Sequence, residues 1–217
     1  ASAATYNYNK TNGVLSGNAA NGTYDSIDSS YSTNTNMLSW TITNGKIKGS
    51  GAGDVDGFWL VLNDGPNPKS SDVNELAIIY ADFNNNKLLA YAYNGQNNAN
   101  SIINPGILIK DYSADIINDG LGTIGFNIDV SYINDFSHGS IIPADWKGMQ
   151  YDEKIGVWFH VSTGTNLGQG FSFTSQRWYD TANQNTTVVP IPAAIFLFTP
   201  VLAGFALIRR KRNTLNS

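Results

Sequence analysis

The sequence predicts an all-β chain, an antiparallel two-sheet sandwich followed by a single C-terminal apolar helix. Three observations carry this prediction. Apolar stretches of about five to seven residues recur between Met37 and Val161, each bounded by Asn, Gly or Pro clusters that make turns. Two stretches, Thr123–Tyr132 and Ile155–Val161, alternate with period two, which sends one face to a core and the other away from it. Nothing before residue 188 has a helical repeat of useful length, whereas Ile195–Ile208 contains no charge. Short strands split by turn residues pack as two layers because each sheet must bury a face.

In chain order, residues 1–36 are polar, with tyrosines at 6, 8, 24 and 31; they fit short strands at Thr5–Tyr8 and Tyr24–Ile27, or an irregular arm. Met37–Lys48 is expected to be a hairpin: Leu38, Trp40 and Ile42 alternate, and Asn44-Gly45 is a strong two-residue turn signal. Gly51–Gly57 is a loop, and Phe58–Leu62 is apolar without alternation, which implies a strand covered on both faces. Turn residues fill Asn63–Pro68. Glu75–Ala81 and Lys87–Tyr93 form a hairpin across Asn84-Asn85-Asn86, and a weaker apolar piece spans Ile102–Ile109. In Thr123–Tyr132, Ile124, Phe126, Ile128, Val130 and Tyr132 point one way and Gly125, Asn127, Asp129 and Ser131 the other. In Ile155–Val161, Val157, Phe159 and Val161 oppose Gly156, Trp158 and His160. Phe171 and Phe173 mark a last strand near Gly170–Thr174. The folded domain is therefore 1–187 and the tail 188–217.

Composition narrows the function classes. There is no cysteine, so stability rests on a core rather than on disulfides. Of 13 Lys and Arg, four stand together at 209–212, and the 17 Asp and Glu all precede them, leaving an acidic domain. Such a domain is a poor partner for nucleic acid, which favours a basic stripe. Low charge content with abundant Asn, Gly, Ser and Thr is the composition of a secreted β-protein. Ala1-Ser2-Ala3-Ala4 has the small residues expected after removal of an export leader.

The tail runs Val188-Val189-Pro190-Ile191-Pro192-Ala193-Ala194, then Ile195–Ile208, then Arg209-Arg210-Lys211-Arg212. As a helix rising about 1.5 Å per residue, Val189–Ile208 would cross one hydrocarbon core of about 30 Å. The four cations would hold its end on the cytoplasmic side. This order of parts resembles the PEP-CTERM sorting tail of exported bacterial proteins. The matching residues are Val189, Pro190, Pro192, Ala193 and Ala194, the apolar span, and Arg209, Arg210 and Lys211. Ile191 stands where the named motif carries glutamate. The resemblance implies an exosortase-type membrane enzyme that cuts near the box and passes the product outward. Asp56–Asn67 also resembles the central strand of concanavalin-like jelly rolls, which implies that topology for the sandwich.

Candidate sites follow from residue types. Glu75 and Glu153 are the only glutamates and His138 and His160 the only histidines. Neither pair has the spacing of a glycosidase carboxylate couple or a zinc site, so no catalytic residue is assigned and an enzyme is not expected. Asp54 and Asp56, with Asp64 at the far end of the next strand, are the candidate calcium ligands; Asp115, Asn118 and Asp119 make a second acidic loop. No other cofactor is implied, and turn-forming aspartates are the simpler explanation of both. If the two alternating strands are neighbours, Asn127, Asp129, Ser131, Trp158 and His160 form one stripe able to hold a sugar by planar hydrogen bonds and a stacked ring.

The expected function is an exported cell-surface or matrix protein, structural or adhesive, anchored in the inner membrane as a precursor and able to self-assemble into filaments. The alternative is a carbohydrate-binding module of the polysaccharide matrix.

Overall fold

The computed structural model describes residues 3–70, 76–93, 106–137, 146–168 and 171–190. The apolar span Ile195–Ile208, Pro192, Ala193, Ala194 and the basic residues Arg209, Arg210 and Lys211 lie outside them, as do Glu75 and His138. Among the described residues, no helix is long and apolar enough to cross a membrane.

Among the described residues, fourteen strands form two antiparallel sheets. They are β1 (Ala4–Val14), β2 (Gly22–Ser32), β3 (Met37–Thr43), β4 (Lys46–Ile47), β5 (Gly53–Asp54), β6 (Gly57–Asn63), β7 (Ala77–Asp82), β8 (Lys87–Ala92), β9 (Leu108–Asp111), β10 (Ile116–Asn118), β11 (Thr123–Asp129), β12 (Lys154–Thr163), β13 (Ser175–Asn185) and β14 (Thr187–Pro190); a four-residue helix, α1, covers Ser131–Asn134. The first sheet has the order β10-β11-β3-β2-β1-β14, with β4 beside β2 and β5 beside β4; the second has the order β13-β12-β6-β7-β8-β9. The main core lies between them. Trp40 of the first sheet meets Phe159 of the second at 5.1 Å, and Phe58 touches Phe83, Phe126 and Phe159.

The second sheet is buried on both faces at its centre, as the unbroken apolar run at Phe58–Leu62 predicts. Every residue of β6 is buried. Phe58, Leu60 and Leu62 enter the main core, while Trp59 and Val61 join a second apolar cluster with Ile78, Tyr80, Tyr93 and Trp158. The hairpin of β7 and β8 pairs Ala77 with Ala92 and Asp82 with Lys87, around a turn in which Asn86 has φ of 50°.

Three expectations need correction. Residues 1–36 are no arm: the short strands expected at Thr5–Tyr8 and Tyr24–Ile27 lie within β1 and β2, which are eleven residues each and pair from Thr5–Ser32 to Val14–Thr23. Asn44-Gly45 is no hairpin. Ser26 pairs with Thr43 and Thr23 with Lys46, so β3 and β4 run on along β2 in one register. The type I′ turn that Asn-Gly favours needs both residues at positive φ, and here Asn44 alone adopts it, at 50°. Asn12 of β1, at φ of 50°, sits between the pairs Thr11–Ser26 and Gly13–Tyr24, so the same line of the sheet is kinked in two strands. Across that line the pleat inverts. Ile27 and Tyr31 are buried on one side of it and Tyr24 on the other, which breaks simple alternation in the sequence. The reversal comes later, between β4 and β5, where Gly49 and Gly51 have φ of 85° and 69°.

The third correction concerns the last strands. Phe171 and Phe173 belong to a segment held by one isolated bridge, Asn166–Ser172. The ladder instead continues through β13, an edge strand whose polar sequence Gln176-Arg177-Trp178-Tyr179-Asp180 hides its pairing with β12. β14 then crosses to the first sheet and pairs Pro190 with Ala4 and Thr187 with Asn7. Val188, Val189 and Pro190 of the expected tail are thus part of the sandwich edge, and the folded unit runs three residues beyond 187.

Candidate functional site

The outer face of the second sheet carries an aromatic site. Alternation on β12 sends Trp158 and His160 to this face, opposite Val157 and Phe159 in the main core. Trp59 from β6 and Trp178 from β13 flank them, because His160 pairs with Trp59 on one side and Trp178 on the other. The segment after β12 folds back as a cover. Phe171 and Phe173 lie 5.5 and 5.6 Å from the Trp59 ring, and Phe171 lies 5.0 Å from Tyr80. Two carboxylates pin this cover. Asp56 accepts hydrogen bonds from the Gly164 and Thr165 amides and from Thr165 Oγ1, at 2.7, 3.0 and 2.6 Å. Asp82, fully buried, accepts from the Leu167 amide at 2.9 Å while closing its own turn through Asn85.

His160 sits among three indoles, with ring centroids 4.8 Å from Trp59, 5.4 Å from Trp158 and 5.9 Å from Trp178. Trp158 Nε1 can only donate, and it lies 2.6 Å from His160 Nε2. That nitrogen must therefore accept, so the ring proton is on Nδ1, which donates to Gln176 Oε1 at 3.2 Å. Asp180 completes the cluster. Its Oδ2 holds the Lys69 ammonium from the 3-10 turn Pro68–Ser70. Its Oδ1 is buried without a hydrogen-bond partner, 3.6 Å from His160 Nε2 and beyond bonding range. Burial alone would raise the Asp180 carboxyl, but His160 in its protonated form and the Lys69 ammonium more than offset this and hold it below the usual carboxylate range.

A groove of about 540 Å³ opens elsewhere, lined by Lys110, Asp129, Ser131, Tyr132, Asp135 and Phe136. It exists because β11 stops three residues sooner than alternation predicts. Asp129 Oδ1 accepts from the Ser131 amide at 2.8 Å and from the Ser131 hydroxyl, which turns the chain into α1. These bonds keep the Asp129 carboxyl low. Val130 remains buried, while Tyr132 is thrown out to 55 % exposure. Lys110 Nζ stands 4.6 Å from the Tyr112 ring and 5.6 Å from the Tyr132 ring.

The expected sugar-binding stripe is not assembled. Asn127 and Asp129 lie on β11, which pairs with β3 and β10, whereas Trp158 and His160 lie on β12 in the other sheet. The physical reason is hydropathy: β12 is buried on both faces and belongs at a sheet centre, while β11 has one exposed face. Trp158 is itself almost fully buried, so it offers no open platform. Ser131 leaves the strand face altogether. The structure does bring Asp129 and Ser131 together in the groove with Tyr132 and Lys110, and it sets Trp178, Asp180 and Lys69 about His160, five residues that sequence reasoning missed. The Trp178-Tyr179-Asp180 alternation was the available signal for β13.

The aspartates proposed for calcium are dispersed. Asp54 faces Lys46 at 3.9 Å, Asp56 is committed to the Gly164–Thr165 turn, and Asp64 follows the opposite end of β6 and lines a cavity with Tyr31 and Tyr151. Asp119 accepts from the Leu121 and Thr123 amides, and Asn118 from the Gly120 amide, which is turn chemistry. Among the described residues, no group of three or more acidic, histidine or cysteine side chains converges. No family model, curated protein or solved structure matches this chain.

Proposed function

We propose that this chain is the folded cargo of a C-terminal sorting signal: an exported protein of the bacterial surface or extracellular matrix with a structural or adhesive role and no turnover. The observation that carries the reading is the order of parts after Val188, with the Pro190/Pro192 box, the uncharged span and the basic end. On this reading the sandwich is of the concanavalin-like jelly-roll kind, the apolar helix holds the precursor in the inner membrane, and an exosortase-type enzyme acts near the box. Strand β14 supports it by carrying the chain along an exposed edge as far as Pro190, at the surface and not in the core. That edge also suits self-assembly, since Val188 and Val189 are exposed and a further strand can pair beside them.

The test is a deletion of residues 191–217 that keeps β14 intact. The full chain is expected at the cell surface or in the matrix, and the truncated chain in the periplasm or medium. Identical placement of both would overturn the reading.

A second reading is saccharide binding, favoured by the groove with its exposed Tyr132 ring beside Asp129, Asp135 and Lys110. A glycan array of neutral and uronic-acid oligosaccharides, probed with the full chain, tests it. Tyr132→Ala should weaken any hit about tenfold, the worth of one stacked ring at roughly 1–1.5 kcal/mol. An array without hits, with and without calcium, removes this reading.

A further inference from the structure

We propose that the cluster of His160, Trp158 and Asp180 is a proton-operated switch on the outer face of the second sheet, in which His160 exchanges one partner for another. In the neutral state Trp158 Nε1–H donates to His160 Nε2, and Asp180 Oδ1 is buried with nothing to accept from. A proton bound at His160 Nε2 turns that atom into a donor. Two N–H groups then face each other across 2.6 Å, and the Trp158 bond must open. The new donor has an acceptor waiting, because Asp180 Oδ1 lies 3.6 Å away and closes to bonding distance with a small rotation of the ring. The imidazolium is also stabilised by the faces of Trp59 and Trp178, whose rings are tilted by 41° and 30° to it.

The charged and titratable groups that face His160 among the described residues are Asp180 on β13 and Lys69 in the 3-10 turn. Gln176 on β13 faces it as a neutral group, and Tyr93 abuts Trp158 at 5.5 Å. Burial pushes the Tyr93 phenol up to about 12, so it is neutral throughout. Lys69 opposes the imidazolium but is drawn to Oδ2, leaving Oδ1 on the histidine side. Asp180 is held low, so it is ionised across the interval near pH 5–8 in which histidine changes charge. The sign follows. Its own contribution to stability is present above the ordinary carboxylate value near pH 4 and is lost only as pH falls below that, outside the switching interval.

The movement has an outward consequence. Trp178 is 43 % exposed and stacks on His160, so a turn of the imidazole alters the surface that the indole presents. This inference does not rest on the sorting reading.

The full chain is titrated from pH 8 to pH 5 while tryptophan fluorescence and the Trp158 indole N–H resonance are followed. One transition is expected in both signals at a shared midpoint, with fluorescence falling as the imidazolium forms. His160→Gln should abolish it. In Asp180→Asn the protonated ring loses its anionic acceptor, and the Trp158 resonance should hold its neutral position at least about one pH unit further into acid. Circular dichroism at pH 7 establishes that each variant is folded; if Asp180→Asn fails to fold, Lys69→Met should move the transition the opposite way. A Trp158 resonance that stays fixed over the interval, or a transition that survives His160→Gln, would overturn the switch.

Discussion

Phe159→Ala is expected to destabilise the domain by about 3–5 kcal/mol, a large part of the roughly 5–15 kcal/mol that holds a typical domain folded. Phe159 is fully buried at the centre of β12, and its ring meets Trp40 at 5.1 Å and Phe58 at 5.2 Å. Deleting the ring removes its transfer free energy and leaves a cavity whose walls are themselves large rings. Those rings cannot collapse inward, because Phe58 is also held by Phe83 and Phe126. Urea denaturation of the variant and the parent, with equal m-values, gives the difference directly. A loss below about 1 kcal/mol would mean that the two sheets do not meet through this ring.

Asp82→Ala is the second large effect, at about 1–3 kcal/mol, for a different reason. The Asp82 side chain is inaccessible to solvent, and it accepts from Asn85 N and Nδ2 at 3.0 and 2.7 Å and from Leu167 N at 2.9 Å. Removing the acceptor strands the Leu167 amide, half-buried under the cover, at roughly 1–3 kcal/mol, whereas water can satisfy the donors of exposed Asn85. The variant also has a signature that a generic core lesion lacks. The Leu167 amide should exchange with solvent faster than the amides of β6, and tryptophan emission should shift to the red as the cover over Trp59 loosens. Uniform exchange across both would contradict the role assigned to Asp82.

How far the chain was legible depends on which residues are asked. Phe58–Leu62 announced a strand buried on both faces because a run without polar interruption has no other stable place in a sheet. Lys87–Tyr93 and its partner were legible because Asn84-Asn85-Asn86 left one way to reverse direction. Residues 1–36 were not. Their strands change face at Asn12 and opposite Asn44, and a pleat inversion erases the alternation that periodicity detects. β13 was hidden for another reason. An edge strand packs one face on the main core through Tyr179, whose hydroxyl meets that of Tyr8 at 2.6 Å, and needs little apolar sequence otherwise. The candidate site was half legible. His160 and Trp158 were paired correctly by alternation, but Asp180 and Lys69 reach them from β13 and from the 3-10 turn, and sequence spacing carries no information on such contacts.

On the proposed function the sandwich is cargo and the segment after Pro190 its address. Intact-mass measurement of the protein recovered from the cell surface tests this most directly. A chain ending within or next to Pro190–Ala194, with its apolar span gone, is expected. A surface population of full mass ending at Ser217, or a protein found only in the cytosol, would contradict it.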